Sequence, residues 1–355
     1  MIISFDSRAY LLSKINNLKR KVLIKNRIYD FKFSFLGEGS GPQNFISDLI
    51  NAINENKLAR TTFNFLISDC HLLNYGFFSQ IWRKYDLKPK NKLLLRLDGI
   101  EIDSDNQNLE QKKYEFLNLA NKTEVIIYQS NFSKCCFKSV YSTLPAGKVI
   151  SNGASKLSLP STYTNNILTD INKLFQTDYF TVAGRFTSRK RIAEVINEFN
   201  ENEIGNLVVL SNVPNKFKFN NKRILYLGIL NPNTARHIIS NSLALIHFDK
   251  YDWCPNLVIS AIKDGTPVIC SNFGGTPEIA KNNGLIINEY PKDLPNNIEG
   301  INYVKKSNFP SKIFKDNINS FNRKDFSFAP DEYYDIKRAA TEYIKVANYL
   351  TNKRI

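Results

Sequence analysis

The constraint that most narrows the fold of this chain is a repeated alternation of short apolar runs with helix-length amphipathic stretches. Runs at residues 179–183, 206–211, 223–227, 243–248, 267–271 and 284–287 are each four to six residues long. That length suits strands buried on both faces, and the stretches between them suit helices covering a parallel sheet. An earlier series at 32–36, 64–69, 92–98, 124–130 and 148–151 predicts a second sheet, with helices starting at Gln43, Leu73, Asn108 and Asn131. Two such sheets in 355 residues fit two domains rather than one core. The expected boundaries are 1–154 and 178–328, with the polar stretch 155–177 as a linker. After Pro291 the pattern turns irregular and basic, until a final helix in 329–355 places Tyr334, Ala339, Tyr343, Ala347 and Leu350 near helical spacing.

Composition removes several function classes. The five cysteines, Cys70, Cys135, Cys136, Cys254 and Cys270, are odd in number and lack paired metal spacing, so neither a disulfide framework nor a zinc site is expected. No apolar run is long enough to span a bilayer, and the first residues lack the apolar core of a signal peptide, so the expected location is cytoplasmic. The net charge of +15 is concentrated early: Arg8, Lys14, Lys19, Arg20, Lys21, Lys25, Arg27 and Lys32 face only Asp6 and Asp30. A positive surface there predicts peripheral contact with anionic lipid at the inner leaflet, or with another polyanion. The competing explanation is a solvated face arising from a general lysine and asparagine bias. No recognised nucleic-acid motif accompanies the charge, so a nucleic-acid partner is not expected, and a basic nucleic-acid-binding protein is the weaker alternative.

The densest chemistry lies at 248–287. A strand ends in a polar loop, Pro255 opens a helix, Gly265 closes it, the next strand follows, and Gly274-Gly275 precede another helix. Polar residues therefore collect at carboxyl ends of strands, where open α/β sheets bind ligands. Upstream, Gly184-Arg185 follows a strand, with Lys190 five residues after Arg185, placing two cations and a helix start at one sheet edge. That arrangement suits a diphosphate.

Asp252, Cys254, Pro255, Asn256, Ala261, Gly265, Pro267, Val268, Ile269, Gly274, Gly275 and Glu278 together resemble family-4 retaining glycosyltransferases of the Asp-x-Cys-Pro-Asn branch. The resemblance implies a GT-B fold: two facing Rossmann-like domains with parallel sheets and a C-terminal crossing helix returning to the first domain. It implies transfer of a hexose-type sugar from a nucleoside diphosphate to a glycan, lipid-linked glycan or other hydroxyl, with retained anomeric configuration and no metal or other cofactor. In that family the counterparts of Arg185 and Lys190 stabilise the departing nucleotide. Asp252 stands where an acid faces the transferred sugar, and Asn256, Gly274 and Gly275 stand at donor-binding positions.

Ser260 is the departure, since relatives carry a glutamate there that grips the ribose hydroxyls. A neutral serine forgoes a charged hydrogen bond worth about 1.5–3 kcal/mol. This motivates the alternative of a non-catalytic GT-B binding or scaffolding protein, unless Glu278 compensates; Glu278 also suits plain helix capping.

In the first half, Gly39, Ser40, Gly41 and Pro42 belong to a glycine-rich turn that fails the dinucleotide fingerprint but resembles the family's loop under the donor pyrophosphate. Asp98, in Arg-x-Asp-Gly, is the candidate for orienting a sugar hydroxyl or acceptor, with an ordinary turn as its bland reading. Gln129-Ser130 and Asn152-Gly153 also match the family and read otherwise as strand, cap and turn. Asp103 and Asp105 form an Asp-x-Asp that holds a metal in the other glycosyltransferase fold; here they read as a solvated acidic loop. His71, His237 and His247 are isolated and read as structural, and Trp253 either lines the sugar pocket or packs.

Overall fold

The computed structural model describes residues 2–5, 41–62, 70–74, 92–100, 109–326 and 332–352. The expected strands at 32–36 and 64–69, the candidates Gly39, Ser40, Asp103 and Asp105, and the basic cluster from Arg8 to Lys32 lie outside these residues. The chain forms two compact units, 1–155 with 335–355, and 156–334.

The first unit contains β1 (Ile2–Phe5), α1 (Gly41–Glu55), β2 (Arg60–Thr62), β3 (Cys70–Asn74), β4 (Lys92–Arg96), α2 (Leu109–Ala120), β5 (Val125–Tyr128), α3 (Asn131–Val140), β6 (Gly147–Val149) and the C-terminal helix (Ile336–Asn352). Its sheet is parallel, in the order β2-β1-β3-β4-β5-β6. Alternation along the strands feeds two cores. Leu94 and Ile127 join Phe45, Leu49 and Ile53 of α1 with Ala339, Tyr343 and Ala347 of the C-terminal helix. Leu93, Leu95, Ile126 and Tyr128 join Phe116, Phe137 and Tyr141 on the other side. Two elements differ from expectation. Residues 2–5 form a strand, and β3 occupies the start of a helix expected from Leu73. Pairing of β3 with both β1 and β4 makes it an interior strand, and this tertiary setting overrides the local pattern.

The second unit contains α4 (Thr162–Phe175), β7 (Tyr179–Ala183), α5 (Ile192–Glu201), β8 (Asn206–Leu210), β9 (Ile224–Tyr226), α6 (Pro232–Ser240), β10 (Leu245–Ile246), α7 (Asn256–Lys263), β11 (Val268–Ser271), α8 (Thr276–Ala280), β12 (Gly284–Ile287), α9 (Ile298–Lys306) and α10 (Ser311–Asn319). The stretch expected as a linker is thus largely helical. Ser161 caps α4 by accepting from the Thr164 N–H, and α4 buries Ile171 and Phe175. Thr164 also meets the Thr234 hydroxyl at 2.8 Å. Likewise α9 and α10 occupy a region expected to be irregular; Val304, Phe314 and Ile318 are buried there.

This second sheet is also parallel, ordered β12-β11-β10-β7-β8-β9. The chain lays β7, β8 and β9 outward in one direction, then crosses back to place β10 on the other flank of β7. Beyond the carboxyl ends of the two strands at such a reversal, here β7 and β10, doubly wound sheets form the crevice that binds ligands. Among the described residues no helix is long and apolar enough to cross a membrane.

The C-terminal helix meets α1 through small, fully buried residues, Ala339, Ala340 and Ala347. Ala347→Leu should therefore overpack this contact and lower unfolding stability by about 1–3 kcal/mol, measured by chemical denaturation.

Candidate active site

Two loops meet at the reversal point of the second sheet. The first leaves β7 at Gly184, whose φ of 142° suits glycine, and runs to Arg191 at φ 51°. The second runs from His247 to Pro255 between β10 and α7. They are tied by backbone: the Lys250 N–H donates to the Arg189 carbonyl at 2.9 Å. Arg189 also donates to the Tyr251 carbonyl at 2.8 Å.

Between these loops lies a compact ion cluster. Lys190 Nζ is 2.8 Å from Asp252 Oδ2 and also pairs with Asp249 Oδ2. Arg189 stands 3.7 Å from the Asp252 carboxylate. His247 Nε2 is 3.4 Å from Asp249 and 3.7 Å from Asp252, too far for a well-formed bond to the latter. The Lys190 side chain is 14% exposed and that of Asp249 4%, so these charges are held largely out of water. Burial alone would raise the Asp252 carboxyl, but Lys190, His247 and Arg189 outweigh it and hold the group well below the usual carboxylate range. Burial would lower the Lys190 ammonium; Asp249 and Asp252 overcome that and raise it.

The glycine pair closes the site by close packing. Gly275 donates its N–H to the Asp252 carbonyl at 2.7 Å. A Cβ on Gly275 would come within 2.0 Å of the Trp253 carbonyl oxygen, and one on Gly274, whose φ is 94°, would come within 3.1 Å of the Asp252 backbone nitrogen. Glycine is needed at both positions so that the loop can rest on residues 252–253.

Of the sequence candidates, the structure brings together Lys190, Asp252, Gly274 and Gly275. Arg185 lies on the same β7 loop, exposed and without an ion pair among the described residues. Asn256 begins α7, and Ser260 lies further along it, half-buried. Glu278 sits in the first turn of α8. Gly41 and Pro42 begin α1 in the first unit.

Asp98 belongs to a separate cluster in that unit. It pairs with fully buried Arg96, whose other terminal guanidinium nitrogen donates to Asn152 Oδ1 at 3.0 Å and whose Cζ lies 4.6 Å from the Phe45 ring centre. Gln129 donates to the Leu97 and Asp98 carbonyls at 2.8 and 2.7 Å, and Asn152 donates back to Gln129 at 3.1 Å. Gln129 and Asn152, which match the family in sequence and read otherwise as strand, cap and turn residues, thus fix the Asp98 strand end.

Sequence reading missed His247 and Asp249. The ligand atoms of His247, Asp249 and Asp252 lie within 4.8 Å of one another, a spacing able to take a divalent ion. Lys190, bound to both carboxylates, already supplies positive charge at that place. Arg191 follows Lys190 in the same basic run. It is fully buried, pairs with Glu289 at 2.6 Å, and donates to Tyr290 Oη at 3.1 Å and Ser307 Oγ at 2.9 Å. His237, read as structural, meets the Ser158 carbonyl at 2.8 Å.

No family model and no curated protein sequence matches this chain. Solved structures do match in fold. Anabaena HepE in complex with UDP and glucose aligns with TM-score 0.60 at 13% identity, over 98% of this chain and 99% of that one. The fold is GT-B. Sucrose-phosphate synthase from Thermosynechococcus elongatus gives 0.55 at 12% identity, over 99% and 96% of the two chains. Trehalose 6-phosphate synthase from Burkholderia multivorans gives 0.57 at 10%, over 98% and 85%. In this GT-B chain the ion cluster occupies the crevice of the second Rossmann-like sheet.

Two outcomes follow from the packing and charge. Gly275→Ala forces the Trp253 backbone aside and should lower stability by about 1–3 kcal/mol in denaturant titrations. Because Asp252 is depressed, the stability it contributes is present above the ordinary carboxylate value near pH 4 and is lost as pH falls through its folded-state value. Asp252→Asn should therefore flatten the acid limb of the stability–pH curve below about pH 4, while the share from raised Lys190 is lost only above about pH 10.5.

Proposed function

We propose that this protein is a retaining, metal-independent glycosyltransferase that moves a hexose-type sugar from a nucleoside diphosphate to a hydroxyl on a glycan or lipid-linked glycan. The observation that carries this reading is the Lys190–Asp252 pair, held at 2.8 Å beside Gly274-Gly275 in the crevice beyond β7 and β10. HepE, solved with UDP and glucose, and the two synthases of sugar phosphates share the fold and lend the reading a substrate class. Lys190 and exposed Arg185 meet the diphosphate, whose negative charge grows as the glycosidic bond breaks. Asp252 faces the sugar. The departing phosphate accepts the acceptor's proton, so no protein base is required. Asn256, Gly274, Gly275 and Glu278 complete the donor side, and Asp98, steadied by Arg96 and Gln129, orients the sugar or acceptor.

A metal is not needed in this scheme because cationic side chains supply the counter-charge. Ser260 leaves the ribose with a weaker contact than a carboxylate gives. The non-catalytic reading rests on that residue alone.

Thermal stabilisation by a panel of nucleotide sugars, followed by turnover of the one that stabilises, tests the function. Lys190→Ala or Arg185→Ala should cut turnover by about a hundredfold or more with the fold intact, and chelators should have little effect. Ser260→Glu should tighten nucleotide binding by up to about tenfold, read by calorimetry.

A further inference from the structure

Lys190 is the cation assigned to the diphosphate, yet it is already engaged. An ammonium has three N–H donors, and the Asp249 and Asp252 carboxylates both lie within contact of this one. Asp252 has a task facing the sugar. Asp249 has none: it lies one loop turn earlier, 4% exposed in its side chain, with its carbonyl receiving the Ser271 hydroxyl at 3.3 Å. The Lys250–Arg189 backbone bond ties the loop that carries Asp249 to the loop that carries Lys190.

Charge then decides what Asp249 does. Lys190 with Asp252 alone is neutral. Adding Asp249 makes the trio net negative, bordered by Arg189 at 3.7 Å from Asp252 and by the His247 ring at 3.4 Å from Asp249. A diphosphate arriving at Lys190 must share the ammonium with two carboxylates and meets a field weakened by the second.

Resting on the donor reading above, we infer that Asp249 is a positioning residue that competes with the donor diphosphate for Lys190, loosening the protein's hold on the nucleoside diphosphate left after transfer. Lys190 is thus kept paired and in place while the crevice is empty, and the product is released more readily than an unopposed lysine would allow. Because Asp252 remains as a partner, removing Asp249 leaves Lys190 paired and the loop register intact.

The test is calorimetric titration of UDP, GDP and inorganic pyrophosphate at fixed salt into the parent, Asp249→Asn, Lys190→Ala and the double variant. Asp249→Asn should bind the diphosphate that the parent prefers at least about threefold more tightly, and the gain should vanish when Lys190 is alanine. Unchanged or weaker binding overturns the inference. Equal tightening in both backgrounds also overturns it, since Asp249 would then act by bulk charge and not through Lys190. Asp249→Ser, judged by the same criteria, replaces Asp249→Asn should that variant not fold.

A second measurement separates this from the donor reading. Lys190 acetylation by acetic anhydride, followed by mass spectrometry without any nucleotide, should be slow in the parent and several-fold faster in Asp249→Asn. No binding of any probe by the parent defeats the donor reading and the product-release role together, whereas unchanged acetylation beside normal binding defeats the Asp249 clamp alone.

Discussion

The second unit's crevice depends on keeping an ammonium and two carboxylates out of water together. None of Lys190, Asp249 and Asp252 exceeds 14% side-chain exposure, and an unpaired charge at such depth would cost several kcal/mol. Pairing removes most of that cost only if the geometry is held, so the surrounding backbone is built to hold it. Arg191 accepts a left-handed conformation and is locked by Glu289, Tyr290 and Ser307, ending the β7 loop at one position. Gly275 gives up its side chain so that its N–H can reach the Asp252 carbonyl. The strained residue and the glycine pair are consequences of a buried ion cluster that tolerates little displacement.

Burial also explains the neighbouring acid. Glu289 is pushed upward by desolvation, against the pull of Arg191, and the guanidinium spreads over several acceptors and two aromatic faces, Phe248 and Phe309. Arg191 therefore serves as a fixed post behind the loop, next to a lysine paired with two carboxylates.

Much of this was legible in the sequence where a single residue type had a single reason to be there. The strands of the second sheet were legible because interior parallel strands are continuous apolar runs, and β7 and β12 fall at the expected residues. Lys190, Asp252 and the glycine pair were legible from spacing along loops that follow strands. His247 and Asp249 were not, because they flank Phe248 at the end of a two-residue strand, and only the return of β10 beside β7 brings them to Lys190. Arg191 looked like one more surface cation in a basic run. The helix at 162–175 was hidden for a different reason: it buries few residues, chiefly Thr164, Ile171 and Phe175, so its apolar stripe is too thin to stand out from a polar linker.

Each unit ends its strands in a buried cation paired with an aspartate, and the choice of cation separates their roles. Arg96 is fully buried against Phe45, with Asp98 and Asn152 fixing its planar fork, an arrangement that no incoming ligand can share without dismantling the Gln129–Asn152 network behind it. Arginine suits that duty because its donors are rigidly disposed and its charge is permanent. Lys190 is a point charge on a flexible stem whose donors can turn from carboxylate to phosphate without moving the loop. A group that must exchange partners during a reaction cycle is better served by such an ammonium than by a fork. The placement of lysine at the crevice, with the arginines Arg96 and Arg191 locked into scaffolding, follows from that difference in side-chain chemistry.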